Sequence, residues 1–108
     1  MSEGYRMDVG KLRWDLLPVV AMEELVRVYG YGIQKGYPER NWEMGMAWSR
    51  MFGAMMRHAW RFWGGEDRDP ESGICHMAHV VWNALGLLEY YLRGSGEDDR
   101  PYNRVGAE

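Results

Sequence analysis

Apolar residues recur at helical spacing in three segments of the chain, over about residues 16–35, 47–63 and 73–93. Asp15 and Ser72 stand where capping residues of the first and third segments are expected, and Pro18 is tolerated in a first helical turn. Gly64 and Gly94 follow the second and third segments and are typical stop signals. The pattern predicts an all-α fold of three main helices.

The segments outside these helices are polar or contain glycine. Residues 1–14 are expected to form an arm with little regular structure, and residues 66–73 an acidic loop too polar to pack. We interpret residues 1–94 as one domain and residues 95–108 as a flexible polar tail. Six Trp, seven Tyr and nine Met in 108 residues exceed the needs of one small core. We therefore expect a homo-oligomer, a dimer or tetramer, that completes a four-helix core.

Charge and cysteine usage narrow the function classes. The formal net charge of −3 argues against general binding of nucleic-acid polymers. The single cysteine, Cys75, cannot form an internal disulfide, which fits a reducing compartment. Polar residues interrupt every apolar run well before the roughly 18–20 residues that a membrane span needs. We expect a cytoplasmic protein that has neither a membrane nor a nucleic-acid polymer as its partner.

Glu24 interrupts the apolar stripe of the first predicted helix. At 100° per residue it lies in line with Val20 and Val28. A carboxylate buried there without a partner would be costly or would take up a proton, so we expect a metal ion or an arginine to meet it. The neighbouring Glu23 is expected on the surface, paired with Arg27 four residues later.

The third predicted helix carries a row of polar residues opposite its apolar face. His76, His79 and Asn83 lie on one line at positions i, i+3 and i+7. Because this row faces a helix with a misplaced glutamate, it fits a divalent-metal or phosphate site. A buried hydrogen-bond seam with a purely structural role is the alternative, and the spacing is compatible with both.

The second predicted helix carries Arg50, Arg57 and Arg61 on one stripe. A charged stripe is most often a solvated face. If this one points into the cavity between the helices instead, Arg57 and Arg61 are placed to hold polyphosphate oxygens.

The acidic loop before the third helix contains Glu66, Asp67 and Asp69. It lacks the spacing of an EF-hand, and a solvated loop is the simplest interpretation. Its position also allows one or two carboxylates to bend back to a metal at the histidines. Carboxylates favour Mg²⁺, and imidazole ligands extend the range to Mn²⁺ or Zn²⁺.

From about Lys11 to Tyr90, the order of these residues resembles the N-terminal domain of the dATP/dGTP diphosphohydrolases of bacteriophages. The matching strings are Arg13-Trp-Asp-Leu-Leu-Pro18, Glu23-Glu-Leu25, Lys35-Gly-Tyr37, Arg40-Asn-Trp-Glu43, Arg57-His58, the run from Trp63 to Gly73, and His76-x-x-His79-x-x-x-Asn83. The resemblance implies a branch of the MazG-like all-α nucleoside triphosphate pyrophosphohydrolases. Members of that group are Mg²⁺-dependent helical oligomers that split a nucleoside triphosphate into monophosphate and diphosphate.

The resemblance implies an enzyme that hydrolyses dATP or dGTP, and our hypothesis for its site from the residues above has three parts. The metal ligands would be Glu24, Glu66, Asp67, Asp69, His76, His79 and Asn83, with Glu24 and His79 also catalytic. The phosphate-binding residues would be Lys35, Arg57 and Arg61, and the base-binding residues Asn41 and Trp42. Two alternatives remain: a non-catalytic nucleotide-binding or scaffold protein with a structural His/Asn network, and a regulator that binds another protein through its Trp/Met-rich surface.

Overall fold

The structure is a computed structural model that describes residues 4–102. Its elements are three α-helices, α1 (Val19–Gln34), α2 (Trp48–Trp63) and α3 (His76–Arg93), and the short 3₁₀ helices Trp14–Leu16 and Asn41–Met44. Over the described residues there is no strand, only two isolated bridges. The predicted all-α fold is confirmed. None of the helices in this part of the chain is long and apolar enough to cross a membrane.

Two helices begin later than the sequence predicts. Pro18 is the N-cap of α1, and Asp15 forms an ion pair with Arg13 at 2.7 Å instead of capping it. The Ser72 hydroxyl accepts a hydrogen bond from the Ile74 amide at 3.1 Å and does not cap α3. Both capping predictions are wrong because these polar side chains find closer partners before the helix starts. α2 has the predicted bounds.

α3 packs against both α1 and α2 and forms the centre of the fold. The buried apolar side chains are few and come from all three helices and the loop before α3: Leu25, Val28, Met51, Ile74, Ala78 and Tyr90. Gly86 of α3 leaves room for the Met51 side chain of α2, since a Cβ there would overlap the Met51 Cε atom. At its C-terminus α3 ends at Gly94, whose φ of +66° is a left-handed conformation suited to glycine.

α3 turns its polar row inward and its apolar row outward. His76, His79 and Asn83 are 0%, 7% and 4% exposed, respectively. Five apolar residues at helical spacing on the other side are 40–70% exposed: Met77, Val81, Leu85, Leu88 and Leu92. Within one chain, the polar row is the inner face of the helix and the apolar row is uncovered.

The segment that follows α3 returns to the start of α2. The Trp48 amide donates a hydrogen bond to the Glu97 carbonyl at 2.9 Å. The Asp99 carboxylate accepts one from the Ser49 amide at 2.9 Å, in the first turn of α2. This attachment was not predicted, since the sequence indicated a flexible tail from residue 95. Residues 103–108 of that tail lie outside the described residues.

Candidate functional site

An open pocket of about 890 Å³ lies between α1 and α2, above the polar row of α3. Its wall comes from all three helices and from the loops that join them. The residues that carry its polar and aromatic chemistry are Tyr29, Tyr31, Lys35, Tyr37, Arg40, Asn41, Trp42, Ser49, Arg50, Arg57, His58, Asp69, Glu71, His79, Trp82 and Asn83.

Three imidazoles meet on one side of this pocket. The rings of His58 and His79 are stacked, with centroids 4.4 Å apart and an angle of 8°. The Nδ1 atoms of His58 and His76 are 2.9 Å apart, and His76 Nε2 lies 2.6 Å from Glu66 Oε1. Burial, followed by the neighbouring His79, lowers the pKa of His58 from 6.5 to about 4. His58 is therefore neutral at pH 7.

The acidic loop contributes a carboxylate beside His79. Asp69 Oδ2 lies 3.7 Å from His79 Nε2 and accepts a hydrogen bond from the Ser72 hydroxyl at 3.3 Å. Burial opposes ionisation of Asp69, but the hydrogen bond from the Glu71 amide and the imidazoles of His58 and His79 outweigh it and lower its pKa. The prediction that this loop is too polar to pack is wrong for Asp69, whose side chain is only 13% exposed.

A second carboxylate of the loop joins α1 to the rim of the pocket. Glu71 Oε1 accepts hydrogen bonds from the Tyr31 hydroxyl at 3.0 Å and from Lys35 Nζ at 3.2 Å. The hydrogen bond with Lys35 lowers the pKa of Glu71 and raises that of Lys35. The lysine predicted to bind phosphate therefore has a carboxylate partner in this structure.

Trp42 contributes an aromatic ring to the pocket wall. Trp42 lies on the 3₁₀ helix Asn41–Met44, and its carbonyl accepts a 2.7 Å hydrogen bond from the buried hydroxyl of Tyr90. The guanidinium groups of Arg40 and Arg93 lie 5.0 and 5.7 Å from the Trp42 ring centroid. A purine that stacks on Trp42 would share the ring with these cations or displace one of them.

The pocket brings together seven of the twelve predicted site residues: Lys35, Asn41, Trp42, Arg57, Asp69, His79 and Asn83. The other five are not part of its wall: Glu24, Arg61, Glu66, Asp67 and His76. His76 and Glu66 instead lie behind His58, and Arg61 is 3.8 Å from Glu66.

Glu24 does not face the histidines across the pocket. Its Oε1 atom pairs with Arg27 Nε at 3.2 Å, so the expected arginine is present and belongs to the same helix. The predicted pairing of Arg27 with Glu23 is wrong, since the arginine turns toward the residue three positions before it. The Oε2 atom of Glu24 is buried and has no hydrogen-bond partner among the described residues.

The predicted metal ligands do not form one centre. Within residues 4–102, no group of three or more His, Cys, Asp or Glu side chains is arranged to hold a metal ion. Asp69 and Glu71 are the carboxylates in the pocket wall, and both already accept hydrogen bonds from neighbouring groups. The residues of one chain therefore do not fit a preformed metal site.

Sequence reasoning assigned no role to His58 and Glu71. A signal for His58 was present, because it lies seven residues after the buried Met51 and therefore on the same face of α2. Glu71 had no such signal, since its contact with Lys35 joins positions 36 residues apart.

Comparisons with known proteins show the family of the chain. The model of the family described as "dATP/dGTP diphosphohydrolase, N-terminal" matches residues 1–100. A dATP/dGTP diphosphohydrolase of Salmonella phage PMBT28 is 30% identical over 100 residues, which cover 93% of this chain and 34% of that protein. The chain thus spans about a third of the length of this relative. No solved structure gives a significant match. With a match that runs from the N-terminal arm through all three helices, the chain belongs to the dATP/dGTP diphosphohydrolase N-terminal family.

Proposed function

We propose that this chain binds a purine deoxynucleoside triphosphate in the pocket between α1 and α2 and hydrolyses it to monophosphate and diphosphate. The observation that carries the proposal is that one pocket wall contains both cationic side chains, Lys35 and Arg57, and the aromatic ring of Trp42. A nucleoside triphosphate combines a polyanion with a planar base, so both of its parts would find a complementary group. The name of the phage relative supports the same substrates, dATP and dGTP.

The phosphates are assigned to Lys35 and Arg57. Both residues line the pocket, and Arg50 lines it about two turns before Arg57 on α2. A guanidinium fork binds phosphate oxygens in pairs, and an ammonium group adds a mobile point charge. On this proposal the phosphates displace Glu71 from Lys35 when they bind. Arg61, predicted for the same role, is instead near Glu66 and outside the pocket wall.

The base is assigned to Asn41 and Trp42. Trp42 offers a ring for stacking, and the Asn41 amide has both donor and acceptor groups for a purine edge. Tyr90 supports Trp42 through its hydrogen bond to the Trp42 carbonyl. Competition between dATP and dGTP measures which purine is preferred.

The proposal includes a requirement of the hydrolysis for a divalent ion. Mg²⁺ that is bound to phosphates commonly keeps water ligands and takes only one or two protein carboxylates. Asp69 and Glu71 are the carboxylates in the pocket wall that would serve. Activity with Mg²⁺, Mn²⁺ or Zn²⁺ and with a chelator tests this part separately.

The proposal includes assembly through the uncovered apolar row of α3. The accessible surface of the chain is 9033 Å², whereas a folded monomer of this mass exposes about 6,200 Å². Part of the excess belongs to the N-terminal arm, where Tyr5 and Val9 are almost fully exposed. A second copy that covers Leu85 and Leu88 of α3 would remove part of the remainder. Light scattering of wild type and Leu88→Lys tests it, with a smaller particle expected for the variant.

Release of diphosphate from dATP and dGTP by the purified chain tests the enzymatic proposal. Turnover in the presence of a divalent ion that falls in Arg57→Ala supports it, and absence of turnover with every deoxynucleotide refutes it. The buried His/Asn row favours one rival, a nucleotide-binding protein without catalysis. Calorimetry distinguishes the two, because the rival predicts binding of dATP or dGTP without any diphosphate release.

A further inference from the structure

Two arginines of the pocket wall have no carboxylate partner. The cationic side chains of the wall are Lys35, Arg40, Arg50 and Arg57. The first is paired with Glu71 at 3.2 Å, and the second with Glu43. For Arg50 and Arg57, in contrast, no ion pair or side-chain hydrogen bond is found among residues 4–102. Helix α2 therefore presents to the pocket two positive charges that no carboxylate of this part of the chain neutralises.

The Arg57 side chain runs back along α2 toward Arg50. A Cβ at Gly53, one turn before Arg57, would lie 3.4 Å from the Arg57 Nη1 atom. The Arg57 guanidinium therefore lies over Gly53, which is only three residues after Arg50. At a rise of about 1.5 Å per residue, Gly53 is about 4.5 Å along the helix axis from Arg50, whereas the Arg57 backbone is about 10.5 Å away. Since seven residues complete nearly two turns, both arginines also share one face of α2 and reach the pocket from the same part of it.

This pair of cations fits an anion that has two adjacent charged groups. One phosphate group satisfies one guanidinium fork with two of its oxygens. A second fork close by needs a second anionic group, and linked phosphates that share a bridging oxygen supply one at short distance. In the free protein the two like charges repel each other, so a bound diphosphate group would replace this repulsion with charge-assisted hydrogen bonds. A single phosphate group would leave one of the two arginines without a partner.

We propose that Arg50 and Arg57 form a binding site for two linked phosphate groups, and that Arg50 makes the pocket select triphosphates over monophosphates. This inference rests on the proposed function, which assigns phosphates to Lys35 and Arg57 and gives Arg50 no role. The β- and γ-phosphates of the substrate occupy the arginine pair, which leaves Lys35 for the α-phosphate. These are the two phosphates that leave together as diphosphate. Inorganic diphosphate should therefore bind at the same place and compete with the substrate.

Calorimetry with inorganic diphosphate and inorganic phosphate on the full chain tests the site without nucleotide or turnover. A chelator excludes divalent ions, and the ionic strength is held at about 0.15 M so that charge screening is constant. We expect the wild type to bind diphosphate at least about tenfold more tightly than phosphate. Arg50→Gln should weaken diphosphate binding by about 10- to 100-fold, because it removes a charge-assisted pair, and phosphate binding by less than about threefold. Arg50→Lys should lie between wild type and Arg50→Gln, because it keeps the charge and loses the fork.

Arg61→Gln is the matched control for the calorimetry. It removes the same charge from the same helix, but Arg61 is 3.8 Å from Glu66 and is not part of the pocket wall. We expect its affinity for diphosphate to stay within about twofold of wild type. Equal losses in Arg50→Gln and Arg61→Gln overturn the inference, because they indicate general attraction by surface charge. A wild type that binds diphosphate no more tightly than phosphate also overturns it. Arg50 is exposed, so its variants are expected to fold, and urea unfolding verifies this.

Inhibition kinetics test the selection of triphosphates. We expect inorganic diphosphate to compete with dATP in the wild type. Arg50→Gln should raise the KM for dATP and the inhibition constant of diphosphate by the same factor, about 10- to 100-fold, with a smaller change in kcat. A raised KM with an unchanged inhibition constant would overturn the role of Arg50, because a general disturbance of the pocket does not act through linked phosphates.

The outcomes separate this inference from the function on which it rests. A wild type that binds diphosphate as expected, and loses this binding in Arg50→Gln, supports the site even if dATP and dGTP are not hydrolysed and the proposed function fails. A wild type that releases diphosphate from dATP or dGTP, together with an Arg50→Gln variant of unchanged KM and inhibition constant, overturns the site and leaves the proposed function intact.

Discussion

Replacement of Gly96 by alanine tests how firmly the segment after α3 is attached to α2. Gly96 has a φ of +72°, and a Cβ there would lie 2.7 Å from the Met46 carbonyl oxygen and 3.0 Å from Trp48 Nε1. The Met46 carbonyl cannot move away freely, because it accepts the hydrogen bond of the Glu97 amide. Gly94 is the matched control: its φ is +66°, but a Cβ there meets nothing within 4 Å.

The expected losses of stability differ because only one site is crowded. A left-handed alanine costs about 1–2 kcal/mol, which applies to both variants. Gly96→Ala also strains the Glu97 to Met46 and Trp48 to Glu97 hydrogen bonds, each worth about 1 kcal/mol. We expect about 1 kcal/mol for Gly94→Ala and about 3 kcal/mol for Gly96→Ala. Urea unfolding followed by tryptophan fluorescence measures both, and equal losses in the two variants would contradict the proposed attachment.

Three further predictions concern the pocket. Tyr90→Phe should lower the free energy of unfolding by about 1–2 kcal/mol and weaken nucleotide binding, because the Trp42 carbonyl loses its 2.7 Å hydrogen bond; unchanged urea unfolding would refute this. Glu71→Gln should tighten dATP binding about twofold in calorimetry without divalent ions, because it frees Lys35 from a largely exposed ion pair; weaker binding would refute it. Between pH 6.5 and 4 the unfolded chain protonates His58 and the folded chain does not. Lowering the pH through this range should therefore reduce the free energy of unfolding of the wild type by about 1–2 kcal/mol more than that of His58→Gln, after allowance for solvent exposure. Parallel curves of the free energy of unfolding against pH for the two proteins would refute this.

Helix positions were predictable because they depend on local signals. α2 has the bounds that its apolar period and the following glycines indicate, and Gly94 ends α3 as expected. The starts of α1 and α3 were not predictable from capping residues, because Asp15 and Ser72 have partners that lie only two residues away. A capping rule ranks residue types and does not include such local competition.

The candidate site was predictable only in part, because a helical period shows which residues share a face and not which face is inside. The row of His79 and Asn83 was identified correctly as one face of α3, and the structure places it at the pocket. The expected partner across the pocket, Glu24, pairs with Arg27 on its own helix. Contacts between residues far apart in the sequence decide which groups pair. The contact between Glu71 and Lys35 is of this kind, and no local sequence pattern indicates it.

The inverted burial of α3 is what would let one 18-residue helix take part in both the proposed pocket and the proposed assembly. Burial of its polar row costs little because each histidine has a hydrogen-bond partner, and Asn83 donates to the His79 carbonyl at 2.8 Å. Exposure of the apolar row, in contrast, forgoes about 25 cal/mol for every square ångström that stays in water. That cost is recovered only if another surface covers Leu85, Leu88 and their neighbours. Since the two rows lie on opposite sides of α3, substitutions in the leucine row should change assembly without altering the contacts of His58 and His79.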